Sequence, residues 1–99
     1  RLPEAESLWE RYWKPLLESK PGRHAISALQ LACSLIQCDF NAKRAAEVLH
    51  LHYNTIRNYL NDLENLLHID LKNSHHRLAL TLSYFVNRSR ENHYNNFRG

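Results

Sequence analysis

A run of fifteen residues in the first half of the chain has no charged side chain, since no Lys, Arg, Asp or Glu occurs between His24 and Cys38. A helix of this composition must be enclosed on most of its circumference. The run therefore predicts either the central helix of a small helical domain or a helix at a subunit interface. The first is favoured, because a small helical domain needs one such element. The polar residues recur at intervals of three, four and three, as one narrow helical stripe, and they are Ser27, Gln30, Ser34 and Gln37.

Helical periodicity also dominates the rest of the chain, which turn residues divide into five predicted helices. The first is predicted from Glu4 to Ser19, with a kink at Pro15. Residues 78–84 alternate apolar and polar side chains, which alone indicates a strand. Because no second alternating segment could pair with them, we interpret them as part of a last helix, capped by Asn73 or Ser74. The predicted fold class is all-α, a single five-helix domain over residues 1–99.

Composition excludes two classes of protein. Only two glycines are present and one of them is the terminal Gly99, so no Gly-rich phosphate cradle can form and nucleotide hydrolysis of the P-loop kind is excluded. The longest mostly apolar stretch, residues 29–36, is too short to span a membrane. The chain begins at Arg1 without a secretion signal, so we expect a fragment excised from a larger cytoplasmic protein.

The two cysteines, Cys33 and Cys38, lie five residues apart in an apolar helical stretch and are interpreted as reduced core residues. A zinc site formed with His50 and His52 is the alternative, because the four residues follow the order of a Cys2His2 finger. One residue between the histidines is a poor spacing for chelation from a helix. We therefore expect no metal and no cofactor.

Between Asn41 and Leu67, two short amphipathic stretches are joined by a tight link, and the helix-turn-helix is predicted over about 42–67. In the first stretch, the small side chains of Ala45 and Ala46 allow another helix to approach closely. The link around His50 needs a left-handed residue, a conformation that His tolerates better than most residues do. The apolar wedge between the two helices is expected from Val48, Leu49 and Leu51.

The second helix, predicted over about 54–67, has two contrasting faces. Its buried face is expected to carry Ile56, Leu60, Leu63 and Leu67, and the opposite face carries Asn54, Asn58, Asn61 and Asn65. Asn has poor helix propensity, so four of them on one exposed stripe reduce stability without a structural gain. An Asn amide pairs with the edge of adenine, and an Arg guanidinium pairs with guanine. The competing interpretation is a solvated polar face in which Asn54 caps the helix.

In a helix-turn-helix, the first two turns of the second helix reach base edges in the major groove. The predicted base readers are therefore His52, Tyr53, Asn54, Arg57, Asn58 and Asn61. Phosphates pass the start of the preceding helix, where basic and hydroxyl groups contact them. The predicted phosphate contacts come from Lys43 and Arg44, with neutral hydrogen bonds from Thr55 and Tyr53.

Residues 41–57 resemble the C-terminal helix-turn-helix of the bacterial purine-catabolism and sugar-diacid regulators (PucR/CdaR-type), which is itself similar to the DNA-binding end of the nucleoid protein Fis. The specific part is His-x-Asn-Thr-x-Arg, present as His52, Asn54, Thr55 and Arg57, and the resemblance continues through 69–71 and 77–82. It implies a Fis-like fold, DNA binding by a transcription regulator, and an N-terminal region that senses an effector.

Three positions depart from the family pattern. The family usually has Arg where this chain has Tyr53, and Tyr-Arg where it has Asn58 and Tyr59, so two basic residues are missing. Residues 41–69 carry three basic and three acidic groups, and the excess behind the net charge of +3 lies in residues 70–99, with five basic and two acidic groups. The second helix would therefore recognise DNA through a few specific side-chain contacts, because residues 41–69 carry no net positive charge.

The leading hypothesis is sequence-specific binding of double-stranded DNA by a homodimer, with two half-sites about one helical turn apart. The rival is a helical protein-interaction or dimerisation module with little DNA affinity, and a third possibility is a Fis-like protein that bends DNA. No catalytic residues are proposed, because the seven histidines are scattered and the possible nucleophiles have no His at a suitable spacing.

Overall fold

The structure, a computed structural model, describes residues 3–20 and 26–98. Within these ranges the backbone forms five helices and no strand, which confirms the all-α fold class. The long alternating segment near the C-terminus is helical, as predicted. The helices are α1, composed of Pro3–Leu8, a π-helical segment Trp9–Trp13 and Lys14–Glu18; α2, Ala28–Gln37; α3, Ala42–Leu49; α4, Tyr53–Leu67; and α5, Ser74–Arg98.

Helix α1 accommodates its proline through a change of helical pitch. Pro15 has no N–H to donate, and its ring would crowd the carbonyl group four residues earlier. The preceding segment Trp9–Trp13 is π-helical, and the Lys14 N–H donates to the carbonyl of Trp9. The distortion that the sequence predicts as a kink therefore takes the form of one wide turn ahead of the proline.

Two tryptophans of the π-helical segment attach α1 to α5. The Trp9 indole N–H donates to the Asn87 side-chain oxygen at 3.0 Å. The Trp13 ring is buried and meets the Tyr84 ring edge-on, with centroids 5.6 Å apart. Aromatic pairs of this geometry add stability beyond the area that they bury.

The charge-free run forms α2, although its first two residues, His24 and Ala25, lie outside the described residues. Ser27 caps the helix, and a reciprocal hydrogen bond from its backbone N–H to the Gln30 side chain completes a capping box. Leu31, Ala32 and Leu35 are buried, and α2 packs against α1, α3 and α4. These contacts are those expected of the central helix of the domain.

Asn73 caps α5, since its side-chain oxygen accepts hydrogen bonds from the His75 and His76 N–H groups at 2.8 and 3.2 Å. Among the described side chains of this helix, Leu80 and Ser83 are fully buried. Three large apolar side chains on another face are exposed, and we call them the α5 stripe. They are Leu78, Leu82 and Phe85, with exposed fractions of 56%, 43% and 58%.

Both cysteines are free thiols: Cys38 is buried and Cys33 is half-buried. Burial, and to a smaller extent the nearby Glu91 carboxylate, raises the pKa of the Cys33 thiol. Among the described residues no group of three or more His, Cys, Asp and Glu side chains could hold a metal ion. None of the helices in the described part of the chain combines the length and the apolar character needed to cross a membrane.

Candidate nucleic-acid interface

The turn between α3 and α4 is built by a left-handed residue. His50 ends α3 with φ 58° and ψ 44°, which confirms the left-handed conformation predicted for the link. The Leu51 N–H then donates to the Ala46 carbonyl at 2.8 Å, closing the end of α3. His52 returns to an extended conformation and α4 begins at Tyr53. Three residues, 50–52, therefore separate the two helices, as in a helix-turn-helix.

Replacement of His50 tests this turn. His50→Gly is expected to raise the free energy of unfolding by up to about 1 kcal/mol, because an L-residue in the left-handed region costs roughly 1–2 kcal/mol, part of which the unfolded-state entropy of glycine offsets. Urea unfolding followed by circular dichroism measures the change. Glu47→Gly, at an exposed right-handed position of α3, is the matched control and should lose about 1 kcal/mol. Equal losses in the two variants would contradict the assigned turn.

Small side chains let α3 pack closely on its neighbours. Ala45 and Ala46 are 0% and 4% exposed, and Leu49 and Leu51 are half-buried against the core. The prediction was wrong for Val48, which is 58% exposed. At 100° per residue, Val48 lies roughly 110° from the centre of the face that Ala45, Ala46 and Leu49 share, so it turns to solvent.

Helix α4 has the two faces that its sequence predicts. Ile56, Leu63 and Leu67 are at most 1% exposed, and Leu60 is half-buried. The opposite face, which we call the Asn face, is exposed at all four of its positions. These positions are Asn54, Asn58, Asn61 and Asn65.

The Asn face has no structural task within the described part of the chain. None of its four amides hydrogen-bonds to another described side chain or backbone group. The helix is capped at His52 without a side-chain hydrogen bond, so Asn54 lies inside the first turn and is not the cap. The exposed amides are therefore available to an external partner.

The predicted base readers lie together at the start of α4. His52, Arg57 and the first three Asn residues are exposed, and Tyr53 is 48% exposed. The Arg57 guanidinium lies over the Tyr53 ring, 5.8 Å from its centroid, in a cation–π arrangement. Thr55 is half-buried, at the border between the two faces.

The predicted phosphate contacts lie beside these readers. Lys43 and Arg44 are exposed in the first turn of α3, and Lys43 lines a shallow cleft together with Tyr53 of α4. The Asn41 side chain accepts a hydrogen bond from the Arg44 N–H at 3.1 Å. In the described structure, the Ala42 and Lys43 N–H groups have no acceptor, as is usual for the first turn of a helix. Two free N–H groups and two cations therefore adjoin the reading side chains.

The acidic groups of α4 are outside this area. Residues 53–61 contain no Asp or Glu. Glu64 is half-buried and its carboxylate accepts a hydrogen bond from the Leu71 N–H at 2.7 Å. A phosphate backbone that approaches the start of α4 therefore meets no carboxylate from this part of the helix.

The sequence patterns did not predict a contact between Arg11 of α1 and the C-terminal end of α4. Arg11 of α1 donates from Nη1 to the Leu67 carbonyl at 2.5 Å and from Nη2 to the His68 carbonyl at 3.3 Å. These residues are more than 50 positions apart in the sequence. No local pattern signals the contact, because Arg11 reads as one more polar residue of an amphipathic helix.

A family model described as the PucR C-terminal helix-turn-helix domain matches residues 28–85, which contain α2, α3, α4 and the first half of α5. The match covers more than half of the chain. No curated protein and no solved structure matches the chain significantly.

Proposed function

Because this chain belongs to the family of PucR C-terminal helix-turn-helix domains, we propose that it binds double-stranded DNA sequence-specifically, with α4 in the major groove. The family implies DNA binding by a regulator, and regulatory domains of this class are typically non-enzymatic. The domain would be the DNA-binding end of a bacterial, cytoplasmic transcription regulator whose effector binds to an N-terminal region. In this role, residues 42–67 would recognise the DNA, and no cofactor would be needed.

The main support for the proposal is that the Asn face lies on α4, the second helix of the helix-turn-helix. The amides are exposed and have no hydrogen bond within the described residues, although Asn lowers helix stability at each position. An Asn amide can donate to and accept from the N6 and N7 edge of adenine together, and Arg57 can donate twice to guanine O6 and N7. A solvated face without a partner would be better served by Lys, Glu or Gln.

Phosphate contacts are assigned to Lys43 and Arg44, with Tyr53 and Thr55 adding neutral hydrogen bonds. Each lysine or arginine that neutralises a phosphate contributes about 0.9 to the slope of log K against log salt for duplex DNA. The test measures binding of the domain to duplex DNA from the promoter of its own gene, between low and moderate salt. Lys43→Ala should reduce the slope by about 0.9, whereas Lys20→Ala, at an exposed position of the chain after α1, should leave it unchanged.

The same series separates the competing DNA functions. A preference for one promoter duplex over a scrambled duplex of the same length supports the proposal. Equal binding to both duplexes together with strong bending would identify an architectural protein and contradict sequence-specific reading.

The α5 stripe favours a second candidate function, self-association. Positions 78, 79, 82, 85, 86 and 89 along this side of α5 contain no Asp, Glu, Lys or Arg, so two copies can meet here without opposing like charges. Three half-exposed side chains supply only part of the roughly 800 Å² per partner that a stable interface buries. A homodimer formed in this way would be weak in solution and strengthened on DNA, where two half-sites hold two copies together.

Leu82→Glu tests the homodimer. The introduced carboxylate would be desolvated against the second copy, so the dissociation constant measured by sedimentation equilibrium should rise at least tenfold, or about 1.4 kcal/mol. Gln37→Glu, which adds the same charge at an exposed position of α2, is the matched control and should behave as the wild type. Unchanged association of Leu82→Glu would exclude the α5 stripe as the interface.

A further inference from the structure

The C-terminal end of α4 is packed through the buried Leu63 and Leu67, but it carries no cation of its own. The helix ends at His68 in the left-handed conformation, and its last turn contains no basic residue. The His68 and Ile69 N–H groups both donate to the Glu64 carbonyl, and the later carbonyls of the helix have no backbone donor within residues 3–20 and 26–98. These carbonyls form the negative end of the helix dipole, where a cation is stabilising.

Arg11 supplies that cation from another helix. Its two terminal nitrogens donate to the carbonyls of Leu67 and His68. This bidentate geometry suits the planar guanidinium, and a lysine amine does not reproduce it. Its Cζ atom lies 5.0 Å from the centroid of the Tyr12 ring, which further restricts the guanidinium.

The segment that holds Arg11 is itself fixed. Arg11 lies in the π-helical turn between Trp9 and Trp13, and both tryptophans contact α5. The guanidinium of Arg90 of α5 also stacks on the Trp9 ring, 3.8 Å from its centroid. Arg11 therefore joins the end of α4 to two helices that contact each other through Trp9 and Trp13.

We infer that Arg11 is a positioning residue for DNA recognition, which fixes the tilt of α4 by holding its C-terminal end to α1. This role rests on the proposed function of α4. Asn58 lies nine residues before Leu67, which is about 14 Å along a helix, so a tilt of only about 4° at the anchored end moves the Asn58 position by about 1 Å. Two-pronged base contacts tolerate little displacement of this size.

The first experiment tests, without DNA, whether the contact of Arg11 with the Leu67 and His68 carbonyls stabilises the end of α4. In Arg11→Ala, amide hydrogen exchange in the last turn of α4, residues 64–68, should accelerate about tenfold, while exchange in α2 stays unchanged. Arg11→Lys keeps the charge at the helix end and should restore part of the protection. Unchanged exchange at residues 64–68 would overturn the inference, because Arg11 would then not stabilise the end of α4. Equal acceleration in α2 would also overturn it, because Arg11 would then stabilise the whole domain.

The second experiment measures DNA binding. Arg11→Ala should bind the preferred duplex about tenfold more weakly than Lys14→Ala, the matched control that removes the same charge from the same helix. The slope of log K against log salt should be equal in the two variants. A slope reduced by about 0.9 in Arg11→Ala alone would make Arg11 a phosphate contact and overturn the inference. A wild-type domain without DNA preference would contradict the proposed function, and hydrogen exchange would still decide whether Arg11 holds α4.

Discussion

Replacing Arg57 and Asn58 together with alanine is expected to abolish most of the sequence-specific DNA affinity. Each bidentate base contact contributes roughly 1–3 kcal/mol of discrimination, so the double variant should lose about 30-fold to 10⁴-fold in affinity for the preferred duplex. Both side chains are exposed on α4, and their removal leaves the buried face of the helix intact. Fluorescence anisotropy at one fixed salt concentration, with preferred and scrambled duplexes, measures the loss.

Asn65→Ala is the matched control for this experiment. Asn65 lies on the same exposed face as Asn58 but in the fourth turn of α4, beyond the reach of base edges. Its replacement should leave DNA affinity within about twofold of the wild type, since surface substitutions outside a contact change free energies by less than about 0.5 kcal/mol. Wild-type affinity and sequence preference in the Arg57→Ala, Asn58→Ala variant would refute the assigned readers.

Replacing Trp13 with alanine is expected to produce the largest loss of stability. Its side chain is 1% exposed and packs edge-on against Tyr84, so it fills the junction between α1 and α5. Truncation of a buried Trp to alanine typically costs about 3–5 kcal/mol, a large fraction of the stability of a small domain. Urea unfolding followed by far-ultraviolet circular dichroism measures the change.

Trp13→Phe separates packing from hydrogen bonding at the same position. The Trp13 indole N–H is buried and has no hydrogen-bond acceptor among the described residues. Phe retains much of the aromatic contact with Tyr84 and removes the unsatisfied donor, so this variant should lose much less than Trp13→Ala. A Phe variant as unstable as the Ala variant would contradict the assigned packing role.

The features of the site that local sequence patterns determine were predicted correctly. The spacing of Ile56, Leu63 and Leu67 gave the buried face of α4, because helical periodicity alone orders its residues around the axis. The left-handed conformation of His50 followed from the two short amphipathic helices on either side of one tight link. The Asn face is exposed because it lies opposite the buried face.

Features that depend on contacts between distant segments were not predicted. Val48 was expected to be buried because it is apolar, but no element among the described residues covers that side of α3. The exposure of Leu82 was not addressed by any sequence pattern, since it depends on which face of α5 the described helices cover. The contact of Arg11 with Leu67 joins two helices more than 50 residues apart, and no spacing rule relates such positions.

Mapping the DNA-bound surface by NMR tests most directly whether α4 is the DNA-reading helix. Amide chemical shifts of the domain are compared before and after addition of the preferred duplex. If α4 reads the DNA, the largest changes occur at residues 43–44 and 52–61, with small changes in α1 and in the second half of α5. Changes concentrated in α5, or no changes at residues 52–61 at a saturating duplex concentration, would contradict the assignment of α4 as the DNA-reading helix.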